Sequence, residues 1–482
     1  MRKMKKALAC SLSLAMVCGM LAGCGSSEKT SSNDPTKAPE ATQAPATTDP
    51  ATTDPTEAPA APTVSEDVGT TGGKTLRIYC WNTEFQDRFN EFYASKLPAD
   101  VTVDWVINAN EGGVYQAKLD EALQKQADAA PEDRIDIFLI EADYALKYIG
   151  TDYTLDVINE VGITDAELAD QYQYTKDVVT ADGKLKGVSW QACPQGFLYR
   201  RSMAKAVLGT DDPDQVQEYI KDWATFDQTA AKMKESGYFM LSGYDDNYRV
   251  YSNNISQPWV DDSGKIVVDA NINAWIDQTK RYTEAGYNNK GSLWSAESTA
   301  QMAKDGKVFG YFGPAWFMDF CFMDYTLADP EAPKEIGNGG YGDWAMAKGP
   351  QGSYWGGTWI CAAKGTDNLD LVKDVLLKMT TDKEILLGIT NKFGDFTNSV
   401  AAMTDVANSD YGYPFLGNQN HIKVLLESAQ DIHITAASAY DQTMAEKIQS
   451  SMKDYFDGNV DLNTAWDNFY NTVIGIHPEL SR

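Results

Sequence analysis

The chain of 482 residues carries 69 Asp and Glu against 41 Lys and Arg, a formal net charge of −28. That balance excludes a nucleic-acid partner, which needs clustered Lys and Arg to displace condensed counterions, and excludes charge-driven attachment to anionic lipid. At 43% hydrophobic and 23% charged, the composition is otherwise that of a globular chain long enough for two or three domains.

The chain opens with Arg2, Lys3, Lys5 and Lys6, followed by an apolar run over residues 7–21. This run is short of the roughly 20 apolar residues a spanning helix needs, and has the basic front edge of a secretory signal peptide. It ends in Leu21-Ala22-Gly23-Cys24. That ending resembles the lipobox of bacterial lipoproteins, which implies cleavage after residue 23 and diacylation of Cys24. Two acyl chains give stable anchoring where one is marginal. Residues 24–73 read as a tether of Ser, Thr, Ala, Pro and Asp, with near-repeats such as Ala46-Thr47-Thr48-Asp49-Pro50 and Ala51-Thr52-Thr53-Asp54-Pro55. Large apolar residues are almost absent there, so nothing offsets the entropy of ordering. A flexible coil of that length spans roughly 35–40 Å.

Regular structure is expected from Thr75 onward. Residues 76–81 read as a buried strand and residues 84–96 as a helix with Phe85, Phe89, Phe92 and Tyr93 on one side. Residues 101–106 form a second strand, 115–129 a helix and 135–140 a third strand. Strand, helix, strand, helix, strand predicts parallel βαβ units in an open doubly wound sheet. Ligands of such sheets sit beyond the carboxyl ends of the strands, here at Trp81-Asn82-Thr83-Glu84 and Glu141-Ala142-Asp143-Tyr144. Further on, strands are expected over 185–190, 197–201, 240–244 and 308–312, and helices over 216–236, 274–285 and 298–304. After a glycine- and aromatic-rich stretch at 337–357, the remainder reads as mostly helix.

Motifs for covalent chemistry are absent: no GxSxG, HExxH, Walker loop or GxGxxG after a strand. Only three histidines occur, all near the C-terminus, and Cys80, Cys193, Cys321 and Cys361 form no close CxxC pair. Neither a metal nor a cofactor is expected. Asp457, Asn459 and Asp461 imitate the start of a calcium loop, but Leu462 and Asn468 stand where glycine and a bidentate acid are required. The pair Glu141/Asp143 keeps open a glycosidase-type reading, since such enzymes need two acids at a set separation.

A different pattern recurs. Aromatic residues stand at strand ends and glycine-rich turns beside short polar groups: Trp81 with Asn82 and Glu84, Trp190 with Gln191, Tyr248 with Asp246, then Trp316, Trp355 and Trp359. A pyranose presents an apolar C–H face and a rim of hydroxyls, which aromatic planes and carboxylates or amides satisfy together. Apolar walls with a few polar groups also suit small-molecule pockets in general.

With these motifs in order, the chain resembles the extracellular solute-binding proteins of family 1, sugar receptors of bacterial ABC importers. The resemblance rests on Leu76 to Glu84, Asp136 to Tyr144, Asp182-Gly183-Lys184 through Trp190-Gln191-Ala192-Cys193-Pro194 to Tyr199-Arg200-Arg201, Asp305-Gly306-Lys307 leading to Gly313-Pro314-Ala315-Trp316, Gly356-Gly357-Thr358-Trp359, and Phe415 to Asn420. It implies a periplasmic-binding-protein-like α/β fold: two doubly wound lobes joined by a hinge the chain crosses more than once, with the ligand between them. Residues 74–190 and 342–400 would form the first lobe, and 191–341 and 401–482 the second. By position in a maltodextrin-binding branch of the family, sugar contacts fall on Asp143, on Asp246 with Tyr248, and on Trp316. Cys193 stands where that branch has an acid, which leaves one hydroxyl partner open. The resemblance further implies a monomer that captures a carbohydrate, delivers it to membrane permease subunits, and works on the outer face of the bacterial cell membrane. Alternatives from other classes are a secreted glycoside hydrolase or lyase, and a receptor for a peptide or polyamine.

Overall fold

The computed structural model describes residues 73–329, 331–434 and 438–482. The expected leader, Cys24 and nearly all of the tether lie outside the described residues.

In the strand Thr75–Cys80, Leu76, Ile78 and Cys80 alternate inward and are fully buried. It pairs in parallel with Thr102–Ile107 on one side and Ile137–Glu141 on the other. A fourth strand, Thr358–Ala362, runs antiparallel along Ile137–Glu141 and closes that edge. The helices Glu84–Phe92 and Val114–Gln124 bury Phe85 and Phe89, and Tyr115, Leu119 and Leu123, at the four-residue spacing that brings side chains onto one face. Each such burial is worth about 1.5–3 kcal/mol. Leu369–Thr381 and Lys383–Phe393 complete the same core through Val372, Leu376, Met379, Leu386 and Ile389.

The second sheet is built differently. Gly196–Arg200 lies at its centre, antiparallel to both Gly310–Gly313 and Trp344–Ala347. Leu241–Gly243 and Asn288–Gly291 form a parallel pair. Backbone bonds from Phe309 N to Phe239 O (2.8 Å) and Gly310 N to Met240 O (3.3 Å) attach that pair to the edge. The helices Asp441–Asp457 and Leu462–Ile476 pack on Ala270–Ala285, where Met444, Ile448, Met452, Phe456 and Phe469 meet Ile272, Trp275 and Ile276. The helix expected over 216–236 divides into Pro213–Glu218 and Trp223–Glu235. Asp222 starts the second one, accepting from Thr225 N at 2.7 Å in a capping box.

One expected boundary moves. Trp344–Ala347, assigned above to the first lobe, pairs residue for residue with Arg200–Phe197 in the second sheet. All four of its side chains are buried there, so the strand needs cover on both faces, which the second sheet's helices provide. The chain rejoins the first sheet only at Thr358.

Three chain segments cross between the two sheets side by side. Asn398 N donates to Trp190 O (2.8 Å), Ala192 N to Phe396 O (3.1 Å), Gln195 N to Ser353 O (2.8 Å) and Trp355 N to Cys193 O (3.2 Å). Cys193 sits in this ladder at φ +53°, a left-handed conformation uncommon for a residue with a Cβ. Ser189 Oγ donates within the same bundle to Gln191 O and Thr358 O, each at 2.7 Å.

Candidate functional site

The carboxyl ends of the first sheet's strands bring Trp81, Asn82 and Glu84 alongside Glu141 and Asp143. Trp81 is half-buried, edge-on to Tyr115 at 5.6 Å and to Tyr144 at 6.2 Å. Asn82 Oδ1 accepts from Glu84 N at 3.0 Å, fixing the entry to the helix, and Glu84 lies 3.8 Å from Arg88. Glu141 accepts from Asp143 N at 2.8 Å. Burial, reinforced by the charge of Asp143, pushes the Glu141 carboxyl well above the usual carboxylate range.

Across from these acids stand residues of the second sheet and its connections. Trp316 Nε1 donates to Trp355 O at 3.0 Å, and the two rings meet edge-on at 5.0 Å. Trp355 is in turn 5.5 Å from Trp294 and 5.6 Å from Phe317. A π-helical turn, Met318–Phe322, follows Trp316, an irregularity that often accompanies functional positions. Gly356 joins the two halves. At φ +68°, any Cβ built there would lie 3.4 Å from both Glu141 Oε1 and the Trp316 ring. The Trp316 ring and a carboxyl with raised proton affinity therefore border the same glycine.

Arg249, in the short helix Tyr248–Ser252, reaches the same place and clamps Asp143: Nη1 donates to Oδ1 at 2.6 Å and Nη2 to the other oxygen. The two residues belong to different sheets' connections, so the pair spans the space between them. Asp441 is nearby, its carboxyl pushed up to about 6 by burial, with the Asp143 charge adding and Arg249 opposing. Tyr354 completes the group; burial raises its hydroxyl, and Arg249, Asp143, Asp441 and Glu141 all act on it.

Glu141, Trp316 and Trp355 thus gather around Gly356, with the Asp143–Arg249 pair beside Glu141; Trp81 and Asn82 follow the neighbouring strand end, while Glu84 is buried beside Arg88. Five further residues expected at the rim lie inside the protein instead. Trp190 is fully buried against Phe85, with ring centres 5.1 Å apart. Trp359 faces the first core and donates from Nε1 to Thr175 O at 2.7 Å. Tyr248 packs edge-on to Trp275 at 5.0 Å within the second lobe's helical core. Asp246 turns back to accept from the amides of Ser242 (2.5 Å) and Gly243 (3.2 Å). Gln191 accepts from Cys193 Sγ at 3.2 Å and is buried in the crossing ladder. What the five share is burial rather than strand register: Trp359 lies within Thr358–Ala362, Tyr248 opens the helix Tyr248–Ser252, and Trp190, Gln191 and Asp246 lie in connections that pack into the cores and the crossing ladder.

A cavity of about 460 Å³ elsewhere, lined by Tyr79, Lys118, Lys125, Gln126 and Asp133 among others, brings together no such group of acids and tryptophans. Among the described residues no set of three or more His, Cys, Asp and Glu side chains gathers as a metal ion would require. No helix among them is long and apolar enough to cross a membrane.

Comparison with known proteins agrees with this architecture. An extracellular solute-binding protein of family 1 superposes with a TM-score of 0.68 at 17% identity, covering 84% of this chain and 99% of its own. The ABC-transporter-associated binding protein of B. animalis subsp. lactis, solved with β-1,6-galactobiose, gives 0.63 at 16% identity over 85% of this chain and 98% of that one. The sugar-binding protein MalE of Xanthomonas citri gives 0.62 at 14% identity over 84% and 98%. No curated protein sequence matches significantly. Residues 87–411, two thirds of the chain, match the model of the bacterial extracellular solute-binding proteins, and the chain belongs to that family.

Proposed function

We propose that this protein captures a carbohydrate, an oligosaccharide in particular, between its two lobes and hands it unchanged to the permease of an ABC importer. The observation that carries this reading is the opposition of Trp316 and Glu141 across Gly356. A sugar ring between them would lay its C–H face on the indole and offer hydroxyls to Glu141, Asp143 and Asn82. Structural neighbours solved with β-1,6-galactobiose and with lacto-N-biose support it. The acid pair is not a hydrolase dyad on this reading: Asp143 is committed to Arg249 in a bidentate pair and is not free to attack or to activate water. On this reading the binding residues are Trp81, Asn82, Asp143, Trp316 and Trp355, joined by Glu141 and Tyr354, while Glu84 supports the site from beneath beside Arg88.

The two lobes on this reading comprise 74–190 with about 358–395, and 191–352 with 396–482. They close over ligand by bending at the three crossings, and the closed form is populated to the extent that sugar prefers it. Lipidation at Cys24 and the tether keep the receptor, a monomer, within tens of ångströms of the membrane partner, raising its local concentration there. A thermal-shift screen across glycans, peptides and amines tests the ligand class, because a ligand bound only to the native state raises the melting temperature. Stabilisation by oligosaccharides alone supports the reading; stabilisation by peptides or polyamines alone overturns it. Cys24→Ser should release a protein that still binds sugar, and retention of that variant on membranes would overturn the anchoring.

A further inference from the structure

The proposed sugar site contains a charge arrangement that bears on which sugars it accepts. Asp143 and Arg249 stand in bidentate contact across the lobes. The other guanidinium near the site, Arg88, is fully buried and likewise engaged in a bidentate pair, with Asp395 at 3.0 and 2.8 Å. Both arginines are therefore charge-compensated by carboxylates, and Glu141 and Asp441 beside the Asp143–Arg249 pair are acids, with the Tyr354 hydroxyl alongside. A carboxylate, sulfate or phosphate on a ligand would meet a partly buried guanidinium whose charge is already paired.

We propose that Arg249 and Asp143 together set the charge specificity of the cleft, so that it selects uncharged carbohydrates over acidic ones. This rests on the carbohydrate reading above. Arg249 has the planar fork that recognises carboxylates and phosphates bidentately, and it would bind an acidic sugar if Asp143 did not occupy that fork. To enter, a uronate must either displace Asp143, leaving that partly buried acid unpaired, or remain unpaired itself; either route is costly. An uncharged sugar meets no such conflict, because Asp143 keeps lone pairs for hydroxyls while its charge is cancelled. The pair also fixes Asp143 in one rotamer, which favours hydroxyl recognition without further ordering.

The test is calorimetric titration of the protein and two variants with two probe sets: neutral disaccharides (maltose, β-1,6-galactobiose) and digalacturonate. The wild type is expected to prefer a neutral disaccharide over digalacturonate by roughly a hundredfold or more, the scale of a like-charge or unpaired-charge conflict. Asp143→Asn frees the guanidinium and should narrow that ratio at least tenfold, chiefly by gained affinity for digalacturonate. Arg249→Gln leaves Asp143 uncompensated and should widen it. Equal wild-type affinity for neutral and acidic probes, or a ratio unmoved in both variants, overturns the proposal while leaving carbohydrate binding intact. Failure of every sugar to bind the wild type overturns the carbohydrate reading itself, and this inference with it. Unchanged melting temperatures in the variants confirm that both remain folded.

Discussion

Arg88 Nε and Nη2 donate to the two carboxylate oxygens of Asp395 at 3.0 and 2.8 Å, with both side chains essentially inaccessible to water. The pair ties the first helix to the segment that crosses between lobes, 307 residues away in sequence. The Phe393 ring lies 4.2 Å from the guanidinium carbon and stacks on one of its faces, adding a cation–π contact to the edge-on carboxylate pair.

Removing one partner strands the other. Arg88→Met should destabilise the protein by about 3–5 kcal/mol, because Asp395 would remain buried without its counter-charge. Adding Asp395→Asn should recover much of that loss. Urea unfolding of the three proteins checks this; equal stability of Arg88→Met and the wild type would remove the pair from the account.

Trp316→Ala should weaken sugar binding by about 2 kcal/mol or more, roughly thirtyfold, the scale of an aromatic anchor in a desolvated site. The loss should fall on affinity and not on folding, because Trp316 is only half-buried and its Nε1 bonds a single carbonyl. Titration calorimetry beside a thermal melt separates the two effects.

Gly356→Ala tests the opposition of Trp316 and Glu141. The position has φ +68°, which costs alanine about 1 kcal/mol. The methyl group would also project between Glu141 and the indole, within 3.4 Å of each. The expected result is a stability loss near the backbone cost with a larger loss in affinity, and unaltered affinity would place the sugar elsewhere.

A pH dependence follows from His421, whose ring is fully buried and bonds Gly394 O through Nε2 at 3.0 Å. Burial pushes its imidazole down to about 4. The unfolded chain takes up that proton near pH 6.5, so between about 6.5 and 4 the unfolded state binds more protons and stability falls as the pH is lowered. The span corresponds to roughly 3 kcal/mol. Asp136 acts oppositely: burial raises it to about 6, so the native state holds more protons and stability falls as the pH rises from about 4 to 6. Comparing His421→Asn with the wild type isolates the first contribution. The variant should gain on the wild type by roughly 3 kcal/mol between pH 7 and 4 in urea midpoints, and a pH-independent difference would contradict the assignment.

Much of the first sheet was readable because its signals are local. Leu76, Ile78 and Cys80 alternate, Phe85 and Phe89 recur at four, and the strands follow one another with helices between. The second sheet was less readable because Trp344–Ala347 takes its place from a partner about 145 residues away. The site divides in the same manner. Trp81, Asp143 and Trp316 lie at chain turns whose direction a strand or glycine announces. Trp190, Trp359 and Tyr248 carry the same aromatic signature, yet packing, which composition does not encode, turned them inward. Arg249 gave no signal at all: its meaning comes from Asp143, 106 residues earlier.

The central claim is that this chain binds a carbohydrate and leaves it intact. Calorimetric titration of the purified protein with neutral oligosaccharides, followed by chromatography of the contents of the same cell, tests it most directly. The account predicts saturable one-to-one binding with every saccharide recovered at its original length. Recovery of shortened products, or heat released only by peptides or amines, would contradict it.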